Sequence, residues 1–263
     1  MSKELNFAIE AAKIAADIIL EGYKSPKIIE HKSEFDLLTE TDPKCEKAVV
    51  DFLTSSTPNF GILSEEGTEI SGNPRWIIDP LDGTTNFSHQ FPNFCVSIAL
   101  VSDDLPIVGV IADPIRNELF YSESGSGSFL SSLEDKSKDS RKLEVSQNIE
   151  IGDCLISTGF PYQRDTALFE NILNSFLILS KTSQSVRRTG SAALDLAYVA
   201  SGRLDAYLVA GAKPWDLAAG ILLVREAGGK ILSLDSDSNP LYASCSLASN
   251  GKCHDNLMDM IDI

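Results

Sequence analysis

Histidine is scarce in this chain, with three residues in 263, and the five cysteines form no C-x-x-C pair. Neither a zinc cluster nor a disulfide framework is written there, and an odd set of unpaired thiols points to a reducing, cytoplasmic setting. Basic residues are also short, 22 Lys and Arg against 38 Asp and Glu, for a formal net charge of -16. Such a field opposes polyanions and so argues against nucleic acid or an anionic membrane as partner. No long apolar run is present at the start either. The first twenty residues are broken by Lys3, Glu4, Glu10, Lys13 and Asp17, which excludes a signal-peptide core and a membrane span of about 20 residues. No repeat of solenoid or propeller period recurs.

What the chain has is apolar content, 43% of residues, enough to bury a core as one large domain or two lobes. Leu5, Ala8, Ile9, Ala12, Ala15, Ala16 and Ile19 recur at helical spacing and predict an amphipathic helix ending near Gly22. A second helix is expected after Asp42, with Pro43 at its first position and Val49, Val50 and Leu53 on its inner face. Phe60 to Leu63, Phe94 to Val101, Ile107 to Ala112, Glu118 to Ser122 and Ser128 to Ser131 read as strands, the last four as an antiparallel stretch. The polar segment Ser131 to Lys142 reads as a surface loop or linker, dividing lobes at 1–145 and 146–263. Beyond it helices and strands alternate: Thr166 to Ser180 and Ser191 to Ala200 as helices, Leu204 to Val209 as strand, Leu217 to Ala227 as helix closed by Gly228-Gly229, then a strand from Lys230.

The chemistry is concentrated in Trp76-Ile77-Ile78-Asp79-Pro80-Leu81-Asp82-Gly83-Thr84-Thr85-Asn86-Phe87. Ile77 and Ile78 read as a buried strand, and Pro80 is expected to turn the chain out of the sheet, leaving Asp79 and Asp82 beyond the strand's carboxyl end. Two carboxylates with the Leu81 carbonyl between them are hard oxygen ligands, suited to one or two Mg2+. Gly83 permits close backbone approach, and a helix starting near Thr84 would aim its free N–H groups at an anion such as phosphate. An acidic strand end recurs at Ser64-Glu65-Glu66-Gly67. Asp216, after Pro214-Trp215, reads equally as a first-turn helix acid and as a third ligand.

Taken in order, Thr39-Glu40-Thr41-Asp42, Ser64-Glu65-Glu66-Gly67, the Trp76 to Phe87 run, Gly190-Ser191-Ala192-Ala193, Trp215-Asp216-Leu217-Ala218-Ala219-Gly220 and Glu226-Ala227-Gly228-Gly229 closely resemble the inositol monophosphatase family, from about Lys32 to Gly229. The resemblance implies an α/β fold of αβαβα layers and a lithium-sensitive, Mg2+-dependent phosphomonoesterase that forms a homodimer. It implies that Glu65, Asp79 and the Leu81 carbonyl hold the activating Mg2+ and that Asp79, Asp82 and Asp216 hold the second. A third site would lie near Glu65 and Asp42. Glu65, Asp79 and Thr84 would be catalytic, with the Thr84 hydroxyl bonded to Glu65 to orient a water. Gly83, Thr84, Thr85, Gly190, Ser191, Ala192, Val209 and Asp216 would surround the substrate, a small phosphate monoester.

Inositol-selective relatives carry a glutamate seven positions before the last metal aspartate, and here Val209 stands there. An apolar side chain cannot pair a ring hydroxyl, which sets this chain apart from that pattern. Inositol 1-phosphate is therefore the default substrate only. Fructose 1,6-bisphosphate, histidinol phosphate and 3′-phosphoadenosine 5′-phosphate are the alternatives within the class, and a catalytically silent metal- or phosphate-binding regulator is the alternative outside it. Gly125-x-Gly127 reads as a turn, Arg187-Arg188 as a surface pair, Trp215 as a packing residue, and His31, His89 and His254 as structural or surface residues.

Overall fold

Ser2 opens the first helix, its hydroxyl accepting the Leu5 N–H at 3.1 Å. The computed structural model describes residues 1–25, 29–31, 37–134, 140–235 and 239–261, so 135–139 of the expected linker and the His31 side chain lie outside the described residues. The helices are α1 (Lys3–Lys24), α2 (Thr41–Ser56), α3 (Thr84–Ser88), α4 (Ala167–Thr182), α5 (Ala192–Ala200), α6 (Pro214–Glu226) and α7 (His254–Met258). Every apolar position expected to face inward on α1 is buried. α2 begins at Thr41, earlier than expected, and takes Asp42 and Pro43 into its first turn. Proline is tolerated there because a first-turn N–H has no intrahelical acceptor to lose.

A short antiparallel ribbon joins β1 (Ile29–His31) to β2 (Leu37–Thr39). The large sheet contains β3 (Gly61–Ser64), β4 (Glu69–Ile70), β5 (Arg75–Asp82), β6 (Cys95–Ser102), β7 (Leu105–Asp113), β8 (Glu118–Glu123), β9 (Gly127–Ser132) and β10 (Arg141–Lys142). Its eight strands run in the order β10-β9-β8-β7-β6-β5-β3-β4, and β6 to β9 form the antiparallel meander the sequence predicts. The second sheet has five strands, β11 (Leu155–Gly159), β12 (Ser185–Arg187), β13 (Ala206–Ala210), β14 (Lys230–Ser233) and β15 (Cys245–Ser249), in the order β12-β11-β13-β15-β14.

Five layers follow. α1 and α2 cover the outer face of the large sheet, α5 and α6 lie between the two sheets, and α4 packs on the far face of the second sheet. This is the expected αβαβα arrangement. The middle layer sits close: a Cβ on Gly109 of β7 would lie 2.8 Å from the Ala219 carbonyl of α6, so only glycine lets helix and strand meet there. The Gly125-x-Gly127 turn is pinned to the same helix, both N–H groups donating to Glu226 at 2.8 Å.

Pro80 does not end its strand. β5 runs on to Asp82, with Asp79 opposite Ser97 and Asp82 opposite Cys95, so Pro80 and Leu81 together face the single residue Val96 in a bulge. The parallel neighbour β3 has already ended opposite Ile78. Proline is accepted because it sits in a bulge with no partner strand on its other side.

Candidate active site

The bulge in β5 re-aims the end of the strand, and Asp79 and Asp82 of that strand converge there with Asp216 of α6. One carboxylate oxygen each of Asp79, Asp82 and Asp216 lie within 4.8 Å of one another. Asp79 Oδ1 accepts the Leu81 N–H at 3.0 Å, across the bulge. Asp82 is gripped by the start of α5: its Oδ2 accepts the Ser191 hydroxyl at 2.6 Å and the Ala193 N–H at 2.8 Å. Asp216, in the first turn of α6, accepts the Lys213 N–H at 2.7 Å, so its helix-start and cavity-lining roles coexist.

Charges this close and this dry are uncomfortable without a cation. Burial raises the Asp79 carboxyl well above its ordinary range, and the charges of Glu65, Asp82 and Asp216 add to it. Asp216 is pushed up to about 8 by burial and then by Asp82. Burial raises Asp82 as well, although its donors from Ser191 and Ala193 oppose the rise. The donor set is all oxygen, which selects hard divalent cations over thiol- or imidazole-seeking metals.

Beside the acids is a cradle of backbone. Gly83 has φ +96°, and a Cβ there would lie 3.0 Å from the Asn93 carbonyl and 3.3 Å from that of Gly190, so glycine is required by conformation and by space. Asn86 ties the cradle to the Gly190 loop, donating to the Asn93 and Thr189 carbonyls at 2.7 and 2.8 Å. Thr84 opens the five-residue α3. Its hydroxyl, expected on Glu65, is instead placed by the first turn of α2, 3.0 Å from Asp42 Oδ1 and 3.1 Å from the Leu81 carbonyl. Asp42 in turn accepts the Thr39 N–H at 2.8 Å and the Thr39 hydroxyl at 2.5 Å. Its carboxyl is raised by burial against these donors. Asp42 thus meets the site through Thr84 and stands outside the converging trio.

These groups line one cavity of about 560 Å³. Glu65, Asp79, Leu81, Asp82 and Asp216 share its walls with Gly83, Thr84 and Thr85, and also with Gly190, Ser191, Ala192 and Val209. The structure therefore brings together every residue singled out from the sequence apart from Asp42, which backs it. Ser191 spends its hydroxyl on Asp82 and so positions an acid. Another depression, of about 430 Å³, lies over Leu38, Pro43 and Lys47 and contains no such cluster of acids.

Sequence reasoning missed part of the rim. Phe160 and Tyr162 follow β11, Arg188 follows β12 and Lys213 precedes α6, and all four line the cavity. The Arg188 guanidinium lies 4.8 Å over the Phe160 ring, whereas the sequence reading left it as half of a surface pair. Asp195 of α5 also lines it, buried and held by the Ser157 hydroxyl at 2.8 Å. Trp215 packs against the core and lines the cavity too. His254 is structural as expected, buried with Nδ1 2.8 Å from the Ser249 hydroxyl.

Comparison with known proteins agrees with this fold. The sequence model of the inositol monophosphatase family matches residues 1–261. The chain is 42% identical over 241 residues to a protein of Xylella fastidiosa named "Nus factor SuhB", covering 90% of this chain and 84% of the relative. It is 41% identical over 257 residues to the "Inositol-1-monophosphatase" of Synechocystis, covering 96% and 86%. Among solved structures, the extragenic suppressor protein suhB of Bartonella henselae superposes with a TM-score of 0.90 at 37% identity, covering 98% of each chain.

Proposed function

The chain belongs to the inositol monophosphatase family, a family of phosphatases acting on small phosphate monoesters, and we propose that it is a Mg2+-dependent phosphomonoesterase for a small sugar or polyol phosphate, with inositol 1-phosphate as default substrate. The observation that carries the reading is the convergence of Asp79, Asp82 and Asp216 beside a glycine-built cradle. Carboxylates raised first by burial and then by one another's charge, with oxygen as the only donor element, fit a hard divalent cation. Asp79, Asp82, Asp216, Glu65 and the Leu81 carbonyl are the groups to hold two or three Mg2+. Bound there, such ions supply positive charge that offsets the anionic transition state and lowers the pKa of water.

The chain's own groups do the rest. The N–H groups of Gly83 and Thr84 cradle phosphate oxygens, and the fixed cradle pays the orientation cost before the substrate arrives. Thr84 Oγ1 accepts a proton from the attacking water while passing its own to Asp42 Oδ1, 3.0 Å away. Direct displacement by water needs no phosphoenzyme, and no cysteine or histidine enters the scheme. Val209 gives the alcohol an apolar wall where inositol-selective relatives offer a carboxylate, so the alcohol is the open variable. The homodimer, the cytosolic setting, the lobes 1–145 and 146–263 and lithium sensitivity belong to the same proposal.

A second reading, a binding or regulatory protein without turnover, rests on the name "Nus factor SuhB" carried by the Xylella fastidiosa relative. Phosphate release separates the two. With Mg2+ and a panel of inositol, fructose, histidinol and nucleotide phosphates, release from at least one and none with chelator is expected. Mg2+ binding with no release from any would favour the regulator.

A further inference from the structure

One turn after Asp42, α2 carries a second buried carboxylate that the scheme above leaves idle. Glu46 is 7% exposed and accepts four hydrogen bonds. Its Oε2 accepts the Ser64 hydroxyl at short range and the Glu66 N–H at 2.9 Å. Its Oε1 accepts the Thr68 hydroxyl at 2.6 Å and the Thr68 N–H at 3.2 Å. All four donors belong to residues 64–68, the turn between β3 and β4 that carries Glu65. Among the described residues no lysine or arginine forms an ion pair with it.

Other bonds act on the same turn, which the pairing of Leu63 with Glu69 closes at its base. Within itself it closes through Ser64 N–H to the Thr68 carbonyl at 2.9 Å and Gly67 N–H to the Ser64 carbonyl at 3.3 Å, and Glu65 N–H ties it to the Ile78 carbonyl at 3.1 Å. Those bonds fix the loop's closure and one anchor on β5; the Glu46 carboxylate is the anchor on α2.

We propose that Glu46 is a positioning residue that sets the 64–68 turn so that Glu65 meets Asp79, and through it the affinity of the acidic centre for divalent cations. α2 then holds two distant parts of the site from one face, Thr84 through Asp42 and Glu65 through Glu46, four residues apart and one above the other. The chemistry of the contact demands a carboxylate. Two oxygens face four N–H and O–H donors, and an amide in their place would turn its own N–H2 toward two of them. The kinetic part of this inference rests on the phosphatase reading; the cation-affinity part does not.

The test compares Glu46→Gln with wild type, and with Lys47→Ala, which breaks only an exposed pair with Asp51 on the same helix. Removing a group that orients metal ligands costs about 10- to 100-fold in metal affinity or activity. Glu46→Gln is therefore expected to raise half-saturating Mg2+ about tenfold or more and to lower kcat while KM for the ester moves little; Lys47→Ala is expected to behave as wild type. In a double-mutant cycle with Glu65→Gln, the Glu46→Gln loss is expected to vanish, because it acts through a group already removed. Additive losses, or an unchanged Mg2+ requirement, overturn the proposal. Should Glu46→Gln not fold, Thr68→Ala deletes one donor and keeps the carboxylate, and a rise of about two- to threefold in half-saturating Mg2+ is expected; no rise overturns it. Mn2+ titration followed by electron paramagnetic resonance reads affinity without turnover. A wild type that binds Mn2+ but releases no phosphate defeats the phosphatase reading and leaves the Glu46 comparison to be decided on Mn2+ affinity; a wild type that binds none defeats both.

Discussion

Asp42 and Glu46 on α2 are buried carboxylates whose two oxygens are both met by N–H and O–H donors, whereas Asp79 and Asp216 each accept one backbone N–H and otherwise face other acids. Residue type and burial are shared. What differs is the supply of donors, and with it the work each group can do. A carboxylate surrounded by donors acts through those donors and not on a cation: it holds a loop or a hydroxyl, and its charge is dispersed into the bonds. One surrounded by other carboxylates keeps its lone pairs directed at a cation, and its folded state is poorer until that cation arrives. Asp82 combines both, with Ser191 and Ala193 fixing its Oδ2 while it shares the cluster.

The largest expected effect comes from removing one of the second kind. Asp79→Asn is expected to lower turnover by roughly a thousandfold or more, because charge stabilisation in a dry site is lost. The same substitution removes a carboxylate raised first by burial and then by its acidic neighbours, so the metal-free protein is expected to gain stability, by on the order of 1–2 kcal/mol. Activity and urea unfolding on one preparation check both. A metal-free variant less stable than wild type would break the contrast with α2.

A smaller effect is expected in the pH dependence of the metal-free protein. Asp216 is pushed up to about 8 and Asp195 to about 7, in each case chiefly by burial, from an ordinary 3.8. A raised folded pKa means that the native state keeps protons the unfolded chain has lost, so this contribution is present at low pH and disappears as pH rises through about 7 to 8. With chelator, Tm is expected to fall between pH 6 and pH 9, by roughly a few degrees to ten. Mg2+ is expected to shrink the fall, since it binds the deprotonated acids. A metal-free Tm that rises across that window would contradict the account of the cluster.

The difference between the two kinds of acid also explains what could be read in advance. The acid-ended strand and the glycine turn are local signals and point to Asp79, Asp82 and Gly83 together, while Asp216 joins them through the family resemblance; all four line one cavity. Partnership is not local. Ser191 reaches Asp82 across 109 residues and Thr84 reaches Asp42 across 42, and neither spacing carries a sequence signal. Pro80 was misread because proline signals both strand ends and bulges, and only the early end of β3 decides between them. β11, β12 and β15 are three to five residues long and rich in serine, so they have too little alternation to stand out, and the rim residues after β11 and β12 were missed with them.

Mn2+ soaked into crystals of the protein, with anomalous difference maps collected at the manganese edge, addresses the convergence of the acids most directly. The account predicts peaks within roughly 2–2.4 Å of carboxylate oxygens of Asp79, Asp82 and Asp216. A map without a peak between them, with the three carboxylates turned apart, would contradict it.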